Sequence, residues 1–229
     1  MNPAAPEQPK PKMLVLELWG LGDLSIATPF LRAACEKFQV TLLAKPHALG
    51  LQEFWPDVKV IPFTAPWTPF RKKYRVLSWP WKNLRQLFKK LRAEQFDIAI
   101  SARWDPRDHV VMKLSGAKEQ WGFPRRSSEL FLSYPMRRPE GVLHRYPSWK
   151  MMGDELGLNL QLPKKFVASE TILIHSGSSH PARVWPLDRF QRLIERLRNQ
   201  GYAVRILCDA YQKESWVLLG ETEALVAQS

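Results

Sequence analysis

The chain has 229 residues, 45% of them apolar and 24% charged, a globular composition long enough for roughly one to two domains with a sizeable core. Its formal net charge of +12 favours polyanionic partners, whether nucleic acid, anionic lipid or a phosphorylated substrate, without choosing among them. Two isolated cysteines, Cys35 and Cys208, give neither a disulfide framework nor a zinc signature, and no apolar run approaches the roughly 20 residues of a spanning helix. Residues 1–12, rich in Pro, Ala and Lys, read as a disordered leader rather than a signal peptide. A soluble protein of a reducing, cytoplasmic compartment is therefore expected.

Met13–Leu18 has the pattern of a buried strand. Trp19-Gly20-Leu21-Gly22 is a turn, and Asp23 precedes a helical pattern with Ala27, Phe30, Leu31 and Ala34 on one face. Val40–Ala44 completes a βαβ unit, which requires a parallel sheet. A strand over Val58–Phe63 leads into a stretch rich in Pro and Trp over residues 64–80. A helix over Trp81–Arg92 follows, with Leu84, Leu87, Phe88 and Leu91 on one side, then a strand over Phe96–Ser101. A helix near Arg107–Leu114, a strand over Gln120–Phe123 and a helix over His144–Leu156, closed by Gly157, complete this part.

Leu160–Ser169 reads as a linker, after which the βαβ grammar restarts. Thr171–His175 is a strand, Leu187–Gln200 an amphipathic helix closed by Gly201, and Ala203–Leu207 a strand. The chain ends at Ser229 after two strands of this second unit, so that domain is expected to be incomplete. The expected class is α/β with two Rossmann-like domains, parallel sheets and flanking helices. Residues 13–160 would form the first domain, and residues 161–229 the linker and the opening of the second.

Five segments carry candidate chemistry. Gly20-Leu21-Gly22-Asp23 joins a strand to a helix, so its glycines allow a tight turn and its helix start offers N–H groups to an anion. On spacing alone Asp23 is more simply an N-cap. A third glycine is missing where Ser25 stands, and strand two ends in Lys45 rather than an acid, which disfavours a dinucleotide site but leaves an NADP reading open. Arg71–Arg92 holds nine basic residues and no acid, beside Trp67, Trp79 and Trp81. Its apolar positions read as core. Arg71, Lys72 and Lys73, in a loop after a strand, read as anion ligands, and the tryptophans as residues for a lipid interface.

Residues 101–109 form a charged loop after a strand. Its side chains either pair with one another and cap the next helix, or offer Arg103 and Arg107 to a phosphate. His175-Ser176-Gly177-Ser178, then Arg183-Val184-Trp185-Pro186, is either an ordinary βα loop or an anion nest with a cation beside it. His144-Arg145-Tyr146 opens a helix, and a lone His there is by itself usually structural.

Gly22-Asp23-Leu24-Ser25-Ile26-Ala27-Thr28-Pro29, a G-D-x(4)-T-P pattern followed by Phe30-Leu31-Arg32-Ala33, resembles the N-terminal signature of glycosyltransferase family 9. This family contains the lipopolysaccharide heptosyltransferases and their relatives. Arg183-Val184-Trp185-Pro186 is similar to its K-x-W-P segment, with Arg for Lys, and His144-Arg145-Tyr146 to its H-x-x-x-R/Y helix. The family's late D-[ST]-G-x-x-H segment does not occur before Ser229.

The resemblance implies a GT-B fold and metal-independent, inverting transfer of a heptose-like sugar. The donor would be a nucleotide sugar, ADP-heptose, and the acceptor a lipid A-linked core glycolipid. Asp23 would be the catalytic base. Gly22, Arg71, Lys72, Arg103, Arg125 and His144 would hold the acidic acceptor, and Ser176, Gly177, Ser178, Arg183 and Glu214 the donor. No cofactor and no nucleic acid is implied. The enzyme would work peripherally at the inner face of the cytoplasmic membrane, whose anionic surface would be a partner. An NADP-dependent oxidoreductase and a non-catalytic basic protein binding membrane or nucleic acid are the competing readings.

Overall fold

The computed structural model describes residues 9–68, 76–138, 144–162, 170–178 and 181–227. The chain divides into two units, Met1–Leu162 and Pro163–Ser229. The expected anion ligands Arg71, Lys72 and Lys73, the first eight residues of the leader, and residues 163–169 of the linker lie outside the described residues.

The architecture of the first unit follows from strand β1 (Lys12–Glu17), which is buried from Met13 to Glu17. A strand that is apolar on both faces needs a cover on each, and side chains alternate between the faces with a period of two. Met13 and Val15 join one core cluster, with Leu24, Ala27 and Phe30 of helix α1 (Leu21–Lys37) and Trp149 and Met152 of a later helix. Leu14 and Leu16 join the other, with Leu84 and Leu91 of helix α2 (Trp81–Glu94) and Val111 and Met112 of helix α3 (Pro106–Leu114). The remaining strands are β2 (Gln39–Ala44), β3 (Lys59–Pro62), β4 (Ile98–Ser101), β5 (Glu119–Gly122) and β6 (Tyr134–Pro135), and helix α4 spans Tyr146–Glu155. Trp149 of α4 is fully buried against Phe30, with ring centroids 4.9 Å apart. Truncating such an indole to alanine costs about 3–5 kcal/mol.

The sheet order is β3-β2-β1-β4-β5-β6, with every pairing parallel. Val15 lies opposite Leu42 on one side and Ile100 on the other. The chain thus steps outward from β1 in one direction, then returns and steps outward from β1 in the other. Beyond the carboxyl ends of β1 and β4 their loops diverge, and open α/β sheets place ligands in the crevice this leaves.

The second unit pairs β7 (Thr171–His175), β8 (Ala203–Cys208) and β9 (Leu225–Val226) in parallel. Helices α5 (Leu187–Asn199) and α6 (Lys213–Leu218) supply its cover through Ile194 and Trp216. The third strand corrects the expectation of two, because a two-residue strand leaves no periodicity to read. Gly157 and Gly201, expected to close helices, adopt φ of 64° and 88°, the left-handed conformation that glycine takes without penalty. Among the described residues no helix is long and apolar enough to cross a membrane.

Candidate active site

Helix α1 starts three residues earlier than the sequence suggested. Gly20 is its N-cap, so Asp23 stands in the first turn rather than in front of it. Its Oδ2 accepts from the Gly20 backbone N–H at 3.3 Å. Neither glycine is required by the turn: Gly20 has φ of −90°, and a Cβ on Gly22 would meet nothing within 4 Å. The role of Gly22 is therefore open space above the helix start, not a strained backbone.

The parity that buries Met13 and Val15 toward α1 and α4 sends Glu17 the same way. Its carboxylate is fully buried, and it meets Arg145, which lies at the start of α4, at 3.8 Å. Burial pushes the Glu17 carboxyl up to about 7, against the opposing pull of Arg145 and Arg103. Arg145 also stands 3.4 Å from Asp23 Oδ1. Its guanidinium packs on the indole of Trp19, 4.4 Å from the centroid, and so does that of Arg103, at 4.5 Å.

Arg103 corrects an expectation. It is only 2% exposed, and it is engaged by Asp105 and Asp108, each at 3.2 Å. Asp108, fully buried on α3, is pushed up to about 6 by that burial, with Arg103 pulling the other way. Its Oδ2 accepts from Ser101 at the end of β4. Asp105 is the N-cap of α3, accepting from the Arg107 N–H. Burial would raise Asp105, but the Arg107 and Arg103 guanidiniums hold it below the usual carboxylate range. The charged loop thus resolves into mutual pairing and capping. Arg103 contributes a rigid wall, because β4 delivers it inward, where an unpaired cation is costly.

Of these residues Trp19, Arg103, Asp105, Arg107 and Arg145 border a cavity of about 710 Å³ at the carboxyl ends of β1 and β4. Among the described residues, Arg103, Arg107, Arg125, Arg126 and Arg145 line it against a single acid, Asp105, and Trp19, Trp79 and Trp104 supply apolar walls. Such a surface suits an anionic ligand with a ring to stack. Arg125 is exposed, as its assignment to an acidic acceptor requires. His144 is exposed too, but its Nδ1 accepts from the Tyr146 backbone N–H at 3.2 Å, which spends that nitrogen on the start of α4. The neighbour Arg145 enters the site instead. The sequence signal for it was position alone, since a residue opening a helix beside a strand end faces the loops of the sheet. The three tryptophans do not form an exposed lipid face. Trp67 is buried, Trp79 half-buried and Trp81 exposed, packed in a row of tilted rings with centroids 5.4 and 5.7 Å apart.

In the second unit the loop after β7 is tightly tied. The Ser176 hydroxyl donates to Gln212 Oε1 and accepts from the Trp216 indole N–H. Its backbone N–H donates to Leu207 and its carbonyl accepts from Gln212. This corrects the expectation that Ser176 holds a ligand: it is buried, and its polar atoms serve the fold. Gly177 does have a local reason, because a Cβ there would come 2.4 Å from Asp209 Cγ. Ser178 is half-buried, Arg183 exposed at the end of a 3-10 turn, and Glu214 exposed in the first turn of α6. Among the described residues no group of three or more His, Cys, Asp or Glu is arranged to hold a metal ion.

Solved structures share this architecture. The heptosyltransferase WaaC of E. coli with ADP-2-deoxy-2-fluoro heptose superposes with a TM-score of 0.70 at 17% identity, over 95% of this chain and 76% of that one. A glycosyltransferase family 9 protein of Veillonella parvula gives 0.67 at 18% identity, over 98% and 71%. The E. coli ADP-heptose lps heptosyltransferase II gives 0.55 at 17% identity, over 94% and 72%. No curated protein matches the sequence. The fold, with its crevice at the β1–β4 reversal, is that of the GT-B glycosyltransferases. Residues 144–224 match the model of glycosyltransferase family 9 (heptosyltransferase). Over this segment, about a third of its length, the chain is similar to that family.

Proposed function

We propose that this enzyme transfers a heptose-like sugar from ADP-heptose to a lipid A-linked core acceptor, with inversion and without a metal ion. The observation that carries the reading is the Asp23 carboxylate, partly exposed at the helix start and paired with Arg145 of the arginine-lined cavity wall. Asp23 takes the proton of the acceptor hydroxyl as its oxygen bonds to the anomeric carbon, and the bond to the donor diphosphate breaks on the opposite side. A base needs position first and basicity second. Here position comes from the first turn of α1.

On the acceptor side, the exposed Arg125 and Arg126 face the anionic groups of the glycolipid, with Arg71, Lys72 and His144 assigned by family resemblance. Open space above Gly22 admits the sugar. On the donor side, Gly177, Ser178, Arg183 and Glu214 are the residues we assign. Arg183 and backbone dipoles meet the charge of the departing diphosphate. WaaC was solved with ADP-2-deoxy-2-fluoro heptose and with ADP, which supports an ADP-linked heptose as donor. The exposed Lys82, Arg85, Lys89, Lys90 and Arg92 of α2, beside the exposed Trp81, support work at the anionic cytoplasmic face of the membrane.

The test is a transfer assay with ADP-heptose and a lipid A-core acceptor. Asp23→Ala should abolish transfer while the variant still binds the acceptor. Transfer at the parental rate by this variant would remove the reading.

A further inference from the structure

We propose that Arg145 is a positioning residue for the transfer: shared between the buried Glu17 and Asp23, it fixes the direction in which the Asp23 carboxylate faces the acceptor hydroxyl. The inference rests on the reading of Asp23 as the base.

Three observations converge on it. First, Asp23 is held at both ends. Its Oδ2 accepts from the Gly20 N–H, and its Oδ1 faces Arg145 Nη1. With one of these removed, the carboxylate is free to turn about its last torsion, which is soft. Second, Arg145 is itself anchored on a rigid base. Glu17 lies beneath it, and Trp19 carries both it and Arg103. Arg103 is clamped in turn by Asp105 and Asp108. The chain of contacts runs from the start of α3 through the end of β1 to the start of α1. Third, the arrangement is costly as pure structure. Arg145 Nε, Nη1 and Nη2 and Glu17 Oε2 are buried without a hydrogen-bond partner among the described residues. A buried ion pair that is incompletely hydrogen-bonded contributes little to stability compared with apolar packing, and unsatisfied buried polar groups call for an explanation. A simple counterion for Glu17 would not need to reach Asp23.

The mechanism is geometric. A base displaced by about 1 Å can lose on the order of 10²-fold in rate. Lysine at position 145 keeps the charge but not the planar fork that spans two carboxylates.

The test combines kinetics with stability, using ADP-heptose and a lipid A-core acceptor. Arg145→Met should lower kcat by roughly 10–100-fold with the KM for ADP-heptose unchanged, and Arg145→Lys should recover part of the loss. Independently of transfer, urea midpoints of Arg145→Met, Asp23→Asn and the double variant should be non-additive, the double shift being smaller than the sum of the singles. If Asp23→Asn transfers normally, the base assignment fails and this inference falls with it. If Asp23→Asn is inactive but Arg145→Met keeps the parental kcat, Arg145→Lys recovers nothing, or the midpoints are additive, this inference alone is overturned.

Discussion

The loops that leave β1 and β4 in the first unit and the loop that leaves β7 in the second are built from the same βα grammar, yet they use their polar groups in opposite ways. At the ends of β1 and β4, buried polar atoms exceed their partners: Glu17 Oε2, Asp108 Oδ1, two nitrogens of Arg103 and three of Arg145 lack a hydrogen bond among the described residues. At the end of β7, Ser176 has both backbone groups and its hydroxyl engaged. The first region leaves buried ion pairs incompletely hydrogen-bonded behind a charged cavity; the second uses its polar atoms to hold strand and helix together. A strand-end loop of this fold is thus not a ligand site by position alone. The charged side chains that line a cavity are what distinguish the first region.

The largest expected effect probes the first region. Asp23→Ala should lower transfer from ADP-heptose by about 10²–10⁴-fold, the range of general-base contributions. A loss of less than tenfold would reduce the β1 end to a structural junction like that of β7.

The next effect concerns pH. Glu17 is raised from 4.5 to about 7 by burial, so the folded protein holds this proton more tightly than the unfolded chain. Its contribution is full below about pH 4.5, declines as pH rises, and is gone above about pH 7, a change of roughly 3 kcal/mol. Asp108, raised to about 6, acts in the same direction over a lower window. These two groups lower urea midpoints between about pH 5 and pH 7.5, opposed by His109 and His47, which burial holds below the usual imidazole range, so Glu17→Gln should shift the slope toward stability rising with pH. An unchanged slope in Glu17→Gln would locate the pH dependence elsewhere.

Smaller effects test the second region. Ser176→Ala leaves the Trp216 indole N–H and Gln212 without their buried partner, and should cost about 1–3 kcal/mol in chemical denaturation. A neutral result would return Ser176 to the pool of ligand-binding residues. Gly177→Ala forces Asp209 aside. Because a side chain can yield where a backbone cannot, about 1 kcal/mol is expected, within the ordinary range for a crowded substitution. A loss several times larger would show that Asp209 is as rigidly held as Arg103.

Much of the first unit was legible in the sequence. The apolar run of β1, the helical faces of α1 and α2 and the closing glycines Gly157 and Gly201 each report a local rule. The G-D-x(4)-T-P spacing around Asp23 was visible as a resemblance, outside the residues 144–224 that the family model matches. Arg145 and Glu17 were not singled out. Glu17 looks like the polar end of a strand, and Arg145 was overshadowed by the histidine beside it. Arg103 and Ser176 were expected as ligands because their loops were correctly located, but nothing in a linear sequence says whether a side chain at a strand end turns outward or inward.

Periodicity, turn chemistry and the G-D-x(4)-T-P motif determined by themselves that this chain forms parallel βα layers and where its strand-end loops fall, because those signals are carried by residues close together in sequence. Which side chains meet in those loops was decided only by the tertiary structure. Glu17, Asp23, Arg103 and Arg145 come from four separate segments, and the β3-β2-β1-β4-β5-β6 order brings their ends together. Burial then sets which charges must pair and which remain for a ligand, and burial is a property of the packed fold rather than of any stretch of chain.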